Sequence, residues 1–213
     1  PEALLKFLYG DIIEEVLLFL AEVSGHKVDD RQKTVTLNNV EGHIDAIVDG
    51  VLIDVKSAAP FSYDKFVTGK LEQDDPFGYK HQLFSYLASL QKDPNLNVKK
   101  EAGFLVADKS DGRVCLSLWK PKEEDLNIKD EFSRKQAMVK QENPPERCFP
   151  PSSMGASGNE KLGTRCSYCV FKQECWKDSN DGKGLRTFKY SGNNVYLTRV
   201  VKEPKVDEAK AKF

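Results

Sequence analysis

Residues 40–57 read Val-Glu-Gly-His-Ile-Asp-Ala-Ile-Val-Asp-Gly-Val-Leu-Ile-Asp-Val-Lys-Ser. Two runs rich in β-branched residues, 42–48 and 51–57, flank the dipeptide Asp49-Gly50. This dipeptide between apolar runs is the strongest short-range signal of a β-hairpin with a two-residue turn. A similar run at 33–40 precedes them, so the stretch predicts a three-stranded meander.

The turn also fixes the register of the predicted hairpin. With Asp49-Gly50 as the turn, Ala46 lies opposite Ile53, Asp45 lies opposite Asp54, and His43 faces Lys56. Because side chains alternate along a strand, the hairpin then has a polar face and an apolar face. The polar face holds His43, Asp45, Asp54 and Lys56, and the apolar face holds Ile44, Ala46, Ile53 and Val55.

The two aspartates would repel each other in this register, because directly opposed strand residues have Cβ atoms about 4.5–5.5 Å apart. A divalent cation removes the repulsion, and two carboxylates beside an ammonium group suit Mg²⁺ or Mn²⁺ chemistry on a phosphodiester. The alternative is a solvated polar face of an exposed hairpin. Against that alternative, residues 51–56 are otherwise apolar on both faces, as in a buried strand.

The rest of the chain predicts an α/β fold with a mixed central β-sheet flanked by helices. The predicted elements are helices at 3–23, 79–90 and 123–141, a hairpin of 102–107 with 113–118 around Asp111-Gly112, and a last hairpin at 186–200 turning near 192–194. Residues 60–78 are predicted as polar turns, and the charged tail from Lys202 is predicted to fray. We expect a core domain at 1–142 and a smaller C-terminal region at 143–213, which begins with a loop rich in Pro and Gly.

Composition sets limits on partners and location. The chain has 213 residues and a net charge of -1, so it lacks the overall basic excess of many nucleic-acid-binding proteins. Residues 160–199, however, hold eight Lys or Arg against four Asp or Glu, with aromatic residues between them. That segment either follows a DNA backbone without sequence preference or forms a solvated shell around the cysteines.

Nothing in the sequence directs the chain to a membrane. The longest apolar run, 16–21, falls far short of the roughly 20 residues of a membrane helix, and no secretion signal begins the chain. We therefore expect a cytoplasmic protein, or one in the host cytoplasm if it is viral. Since the chain starts at Pro1 and not at Met, we also expect an upstream segment.

Four short motifs, in this order, resemble those of the PD-(D/E)XK nuclease superfamily and especially its RecB-like exonucleases, which include CRISPR-associated iron–sulfur members and phage relatives. They are residues 10–15, 42–45, 54–56 and 82–86, and the similarity spans roughly 5–176. The resemblance implies a restriction-endonuclease-like nuclease core at 1–142, followed by a cysteine-rich metal-binding module with a C-terminal hairpin and tail at 143–213. It also implies that Glu14, Asp45 and Asp54 bind Mg²⁺ or Mn²⁺ and that Lys56 is the catalytic lysine.

The first and last motifs leave some roles open. The family more often has histidine in the first motif, and spacing from Gly10 favours Glu14 over Glu15 as the ligand. The resemblance implies that Gln82 and Tyr86 contact DNA or support the site, although Tyr86 at helical spacing is also typical of a core residue. Ser57, which follows the lysine, donates either to a phosphate or to the backbone.

Five cysteines without a secretion signal indicate ligands rather than disulfides. Cys115 stands alone in an apolar run, whereas Cys148, Cys166, Cys169 and Cys175 cluster, and such spacing is typical of zinc or iron–sulfur ligation. The triplet resembles the one that holds a 4Fe-4S cluster in RecB-like nucleases, with Zn²⁺ as the alternative. In that family the fourth cysteine is usually upstream of the first motif, so here it is either Cys148 or a residue of a missing upstream segment.

The function expected from these features is a metal-dependent DNA exonuclease acting in recombination, repair or phage DNA processing. One rival is a catalytically silent nucleic-acid-binding or assembly subunit with a structural zinc or iron–sulfur site, since nuclease folds are reused in this way. A zinc-ribbon interaction protein is another. Cleavage polarity, strand preference, exonuclease versus endonuclease action and oligomeric state stay open at this point.

Overall fold

The chain divides into two units, Pro1–Val139 and Lys140–Phe213, here called the N-terminal and C-terminal units. The computed structural model describes residues 2–126, 128–143, 145–191 and 193–209, apart from the side chains at 2, 3, 6 and 129. In these ranges, no helix has both the length and the apolar character that a membrane crossing requires. The assignment of the units as nuclease core and metal-binding module stays a prediction.

The N-terminal unit alternates helices with strands. In chain order its elements are α1 (Glu2–Val23), β1 (Val28–Asp29), β2 (Thr34–Leu37), β3 (Val40–His43), β4 (Ala46–Val48), β5 (Val51–Ala58), α2 (Pro60–Val67), a 3₁₀ turn (Lys70–Glu72), α3 (Tyr79–Leu90), β6 (Ala102–Asp108), β7 (Val114–Trp119), α4 (Glu123–Leu126) and α5 (Lys129–Val139).

Five of these strands form the central sheet, in the order β1-β4-β5-β6-β7. Strands β5 and β6 are parallel and the other neighbouring pairs are antiparallel, so the sheet is mixed as predicted. On one face Leu17 and Leu18 of α1 pack against Ile53 and Val55. On the other face the side chains of α2 and α3 pack against β5 and β6, for example Leu83 near Leu52. Strand β5 therefore lies at the centre of the unit.

The predicted meander is correct for the hairpin around Asp49-Gly50 and wrong for the first strand, predicted at 33–40, which does not join that hairpin. Ala46 pairs with Ile53 and Val48 pairs with Val51, as the turn predicts. The run 42–48, however, divides into two strands: β3 pairs with β2 in a separate two-stranded sheet, and only β4 joins β5. The bend between β3 and β4 turns Ile44 into the cluster of Leu52, away from the face predicted for it.

Two segments differ from the prediction in their helices: one contains a helix that was not predicted, and in the other a predicted helix is divided in two. Residues 60–78 contain α2 in place of turns alone: Pro60 stands at the first helical position, where its fixed φ suits a helix, and Tyr63 and Phe66 are buried. The helix predicted at 123–141 is two helices, α4 and α5, and residue 127 between them lies outside the described ranges.

The C-terminal unit is built from short elements. They are β8 (Ser152–Ser153), a 3₁₀ turn (Gly155–Ser157), β9 (Glu160–Lys161), α6 (Thr164–Tyr168), α7 (Lys172–Cys175), α8 (Ser179–Gly182), β10 (Arg186–Tyr190) and β11 (Asn193–Arg199). The strands form one sheet in the order β10-β11-β9-β8. The predicted hairpin of β10 with β11 is present, and residue 192 of its predicted turn lies outside the described ranges.

The C-terminal tail does not fray over the residues that the structure describes. The Ala209 amide donates to the Thr187 carbonyl at 2.8 Å, and the Lys189 amide donates to the Asp207 carbonyl at 3.1 Å. Arg186 holds the same segment through ion pairs with Glu203 and Glu208. The prediction of a frayed tail is therefore wrong up to residue 209, because paired charges and backbone hydrogen bonds fix it to β10; the last four residues lie outside the described ranges.

Candidate active site

Asp54 and Lys56 form a buried ion pair on β5. Both side chains point to the same face of the sheet, since they are two residues apart on one strand. Asp54 is 3% exposed, and the Lys56 ammonium contacts its Oδ2 atom. Apart from that ion pair, Asp54 Oδ2 accepts no hydrogen bond from the described part of the chain. The ring of Tyr79 lies 5.4 Å from Lys56 Nζ and adds a cation–π contact.

Asp45 joins this pair from the bend between β3 and β4. The β4–β5 ladder ends at Ala46 and Ile53, and one residue further the Val55 amide donates to Asp45 Oδ2 at 2.6 Å. A carboxylate here replaces the carbonyl that a continued strand would offer. Asp45 and Asp54 are thus brought together as predicted, although the strands diverge before the two residues can pair directly.

Burial raises the pKa of both aspartates. Burial is the largest cause for Asp54, whose pKa rises to about 6 even though Lys56 lowers it; the nearby Asp45 raises it further. Asp45 also has a raised pKa, because burial outweighs the Val55 amide and the Lys56 ammonium. Burial lowers the pKa of Lys56, but the two carboxylates raise it more. The site therefore holds more negative charge than Lys56 alone can compensate.

Glu14 of α1 is the third carboxylate of this group. Burial and then the charge of Asp45 raise its pKa, which places the two carboxylates within electrostatic reach of each other. The Gln32 side-chain amide donates to Glu14 Oε1 at 2.5 Å, and the Gln32 backbone N–H donates to the Asp45 backbone carbonyl at 3.1 Å. Glu15, the other candidate, pairs with Arg31 at 3.1 Å.

The structure also places His43 and Ser57, the two remaining polar residues of these strands. His43 is exposed and pairs with Thr34 in the small sheet, so the prediction that it faces Lys56 is wrong, because the ladder that would carry it along β5 ends at Ala46. Ser57 is half-buried. By alternation it points to the α1 face, opposite to Lys56.

Gln82 and Tyr86 lie on one face of α3, where Gln82 Nε2 donates to the Tyr86 hydroxyl at 3.3 Å. The Tyr86 ring lies against β3 at Gly42, where a Cβ atom would be 2.7 Å from Tyr86 Cε1. Only glycine allows this approach. Tyr86 therefore contacts the strand that leads into Asp45.

The four clustered cysteines come together in the C-terminal unit. Cys166 lies in α6, Cys169 follows that helix, and Cys175 ends α7. Burial raises the pKa of the Cys166 thiol, and Cys169, Cys175 and Cys148 raise it further, which places these three cysteines within electrostatic reach of Cys166. Next to Cys148, Arg147 Nε donates to the Cys175 carbonyl at 3.0 Å.

The chemistry of both groups fits the metals that the sequence predicts. Three carboxylates with raised pKa values are hard ligands for Mg²⁺ or Mn²⁺, and four thiols are soft ligands for zinc or an iron–sulfur cluster. In the described ranges, no three His, Cys, Asp or Glu side chains are arranged to hold a metal ion. Neither group is a closed coordination shell.

Sequence reasoning missed two contributors to the carboxylate group. Gln32 links Glu14 to Asp45 and has a left-handed φ of 52°, which no motif predicts for glutamine. Tyr79 begins α3 and lies beside the Lys56 ammonium. An aromatic residue three positions before Gln82 was the only available signal, and it is also typical of a core residue.

Comparison with known proteins assigns no family to this chain. No protein-family model matches the chain, and no curated protein matches it. Nine solved chains match, among them one described as "Crystal structure of SSO0001", with 14% identity over 80% of this chain and 68% of that chain and a TM-score of 0.42. A likeness at that score carries no argument about fold or function.

Proposed function

We propose that this chain is a Mg²⁺- or Mn²⁺-dependent DNA nuclease, acting as an exonuclease at DNA ends in recombination, repair or phage DNA processing in the cytoplasm. The observation that carries the proposal is the buried Asp54–Lys56 pair, with Asp45 one hydrogen bond away on Val55. Buried like charges with raised pKa values are typical of functional sites. The motif resemblance to RecB-like PD-(D/E)XK nucleases supports the same proposed function.

In this proposal Glu14, Asp45 and Asp54 hold the cation. When bound, the cation polarises a phosphoryl oxygen and makes a water molecule more acidic. Lys56 keeps its proton, since Asp54 and Asp45 raise its pKa, and so presents a fixed positive charge to the negative charge that develops on the phosphate. Asp54 and Tyr79 limit the positions that the Lys56 ammonium can take.

The other predicted residues have supporting roles. Gln82 and Tyr86 would orient the DNA strand or brace the bend before Asp45. The basic segment 160–199 would contact phosphates without sequence preference. Cys148, Cys166, Cys169 and Cys175 would hold a structural 4Fe-4S cluster, or Zn²⁺ in its place, within the C-terminal unit.

The test is a digestion of end-labelled linear DNA and covalently closed circular DNA with Mn²⁺. We expect the linear DNA to be degraded and the circle to stay intact; cleavage of the circle would make the enzyme an endonuclease. Lys56→Ala should abolish degradation, whereas Lys27→Ala, at a lysine whose side chain is 78% exposed, should not. DNA binding without Mn²⁺-dependent degradation would instead support the silent binding subunit. Equal degradation by wild type and Lys56→Ala would contradict the proposed role of Lys56.

A further inference from the structure

One face of the central sheet is covered only in part. Helix α1 lies over β4 and β5 there, with Leu17 and Leu18 packed against Ile53 and Val55. Further along the same face, three side chains of edge strand β7 are about half exposed: Val114 at 50%, Leu116 at 55% and Leu118 at 51%. An apolar edge strand in this state is an open interaction surface.

The pairing of β6 with β7 shows that these side chains belong to the α1 face. Leu116 pairs with Leu105, which packs in the α1 cluster, and Leu118 pairs with Gly103. A Cβ atom at Gly103 would lie 2.9 Å from Leu118 Cδ2 and 3.2 Å from Ile53 Cδ1. Cross-strand partners share a face, so β7 extends the same apolar surface beyond α1.

Helix α1 has an apolar stripe of its own that the sheet does not cover. Its exposed large apolar residues are Leu4, Leu5, Phe7, Leu8, Tyr9, Ile12, Val16, Phe19, Leu20 and Val23, from 43% to 70% exposed. Six of them, at 5, 9, 12, 16, 19 and 23, alternate steps of four and three residues and so form one stripe. At 100° per residue the stripe lies on the side opposite to Leu17 and Leu18.

The two flanks of α1 differ. Arg31, which follows β1, forms ion pairs with Glu15 and Glu22 at 3.1 and 3.3 Å and makes the flank towards the β1 edge polar. By helical geometry, the flank towards β7 carries Ile13 and Leu20. Neighbouring strands lie about 4.8 Å apart, so the sheet face of β6 and β7 beside α1 is about as wide as one helix, and we call this strip the groove.

We propose that a second copy of this chain fills the groove. In this two-fold dimer each α1 lies with its outer stripe on the exposed β7 face of the other copy, and the two α1 helices lie side by side between the two sheets. The chain itself supplies both complementary parts, a helix with an uncovered stripe and a sheet face with room for one helix. A two-fold interface uses both parts twice.

The area suits a stable dimer. Complete burial of a large apolar side chain removes roughly 100 Å² of apolar surface, so the six stripe residues and the three β7 residues, which are about half exposed, give on the order of 500 Å² per copy. A specific protein interface buries about 800 Å² per partner, of which roughly 60% is apolar. Pairing would also cover the first turns of α1, which as a solvated helix would be marginally stable.

The test is sedimentation velocity on the full chain from about 1 to about 100 µM. We expect a dimer for the wild type. Phe19→Lys on α1 and Leu116→Lys on β7 should each raise the dimer dissociation constant by at least about thirtyfold, since each places a charge in the apolar interface twice. Val139→Lys, at an 82% exposed residue of α5, is the matched control and should leave the dimer intact.

Two results would overturn the proposal: a wild type that is monomeric throughout the range, or a dimer that persists in both Phe19→Lys and Leu116→Lys. If either variant fails to fold, hydrogen exchange of the wild type decides the question. Amides of 114–119 should then be more protected at high concentration than at low concentration, and equal protection would contradict the dimer. None of these measurements involves DNA cleavage, so they test the dimer independently of the proposed nuclease activity.

Discussion

The two candidate metal sites differ in what holds their ligands in place. Asp54 lies on an eight-residue strand at the centre of a sheet that is packed on both faces. Cys166, Cys169 and Cys175 lie in or beside helices of five and four residues, Cys148 lies in the loop before β8, and all but Cys166 are exposed. Packing alone therefore assembles the carboxylate group, although it brings like charges together in a buried place, whereas a thiol site on short elements would depend on its metal for order.

The largest expected effect is on the cysteine group. Cys169→Ser should remove the bound zinc or iron–sulfur cluster and unfold the C-terminal unit, since metal binding supplies on the order of 10 kcal/mol to small metal-dependent folds. Elemental analysis and visible absorbance measure the metal, and circular dichroism measures the fold. Cys115→Ser is the control, because Cys115 is half-buried in the other unit and should keep the metal. Equal metal content in both variants would remove Cys169 from the ligand set.

The next largest effect is on cleavage by the carboxylate group. Asp54→Asn should lower the rate of Mn²⁺-dependent DNA degradation about 10³-fold, because the loss of a ligand carboxylate removes several kcal/mol of transition-state stabilisation. Its melting temperature should change little. Asp49→Asn makes the same change at an exposed turn residue with a left-handed φ of 50°, which asparagine tolerates, and should keep full activity. Comparable losses of cleavage rate in the two variants would contradict the assignment of Asp54 as a metal ligand.

A smaller effect concerns pH. The pKa of Asp54 is raised to about 6, so in the folded protein this carboxyl binds a proton between about pH 4 and 6 that the unfolded chain does not. Without metal, its contribution to stability is therefore present below about pH 4 and lost as the pH rises through about 6. A cation competes with that proton, so Mn²⁺ should raise the melting temperature more at pH 7.5 than at pH 5.

Calorimetry with Mn²⁺ across this range measures the competition. We expect the affinity for Mn²⁺ to fall about tenfold for each pH unit below 6. The Asp54→Asn variant should bind Mn²⁺ weakly and with a less steep dependence on pH, which the raised pKa values of Glu14 and Asp45 maintain. A wild-type affinity that stays constant from pH 7.5 to pH 5 would contradict a role for this carboxylate in metal binding.

The smallest predicted effect is on Gln32. Gln32→Ala removes the hydrogen bond to Glu14, and a single hydrogen bond to a charged group is worth about 1.5–3 kcal/mol, so cleavage should fall roughly tenfold or more. Gln73→Ala, at an exposed residue outside the site, should have no effect. If Gln32 only positions Glu14, higher Mn²⁺ concentrations should restore much of the rate; a loss that no Mn²⁺ concentration restores would contradict that role.

Much of the candidate site could be predicted from local pattern. The dipeptide Asp49-Gly50 fixed the register of β4 with β5, because a two-residue turn leaves one pairing of the flanking residues. Alternation then put Asp54 and Lys56 on one face. What failed was His43, since the pattern gave no sign that the chain bends before Ala46 and that β3 pairs with β2.

The sequence by itself determined the strands and helices around the site, their mixed α/β class and the residue types that can bind two kinds of metal. These depend on side-chain periodicity and turn chemistry, which act over a few residues. Only the tertiary structure decided that Gln32 links Glu14 to Asp45, that burial raises the pKa of all three carboxyls, and that α1 leaves an apolar stripe uncovered. Those features depend on which segments distant in sequence pack together, and on how completely they exclude water.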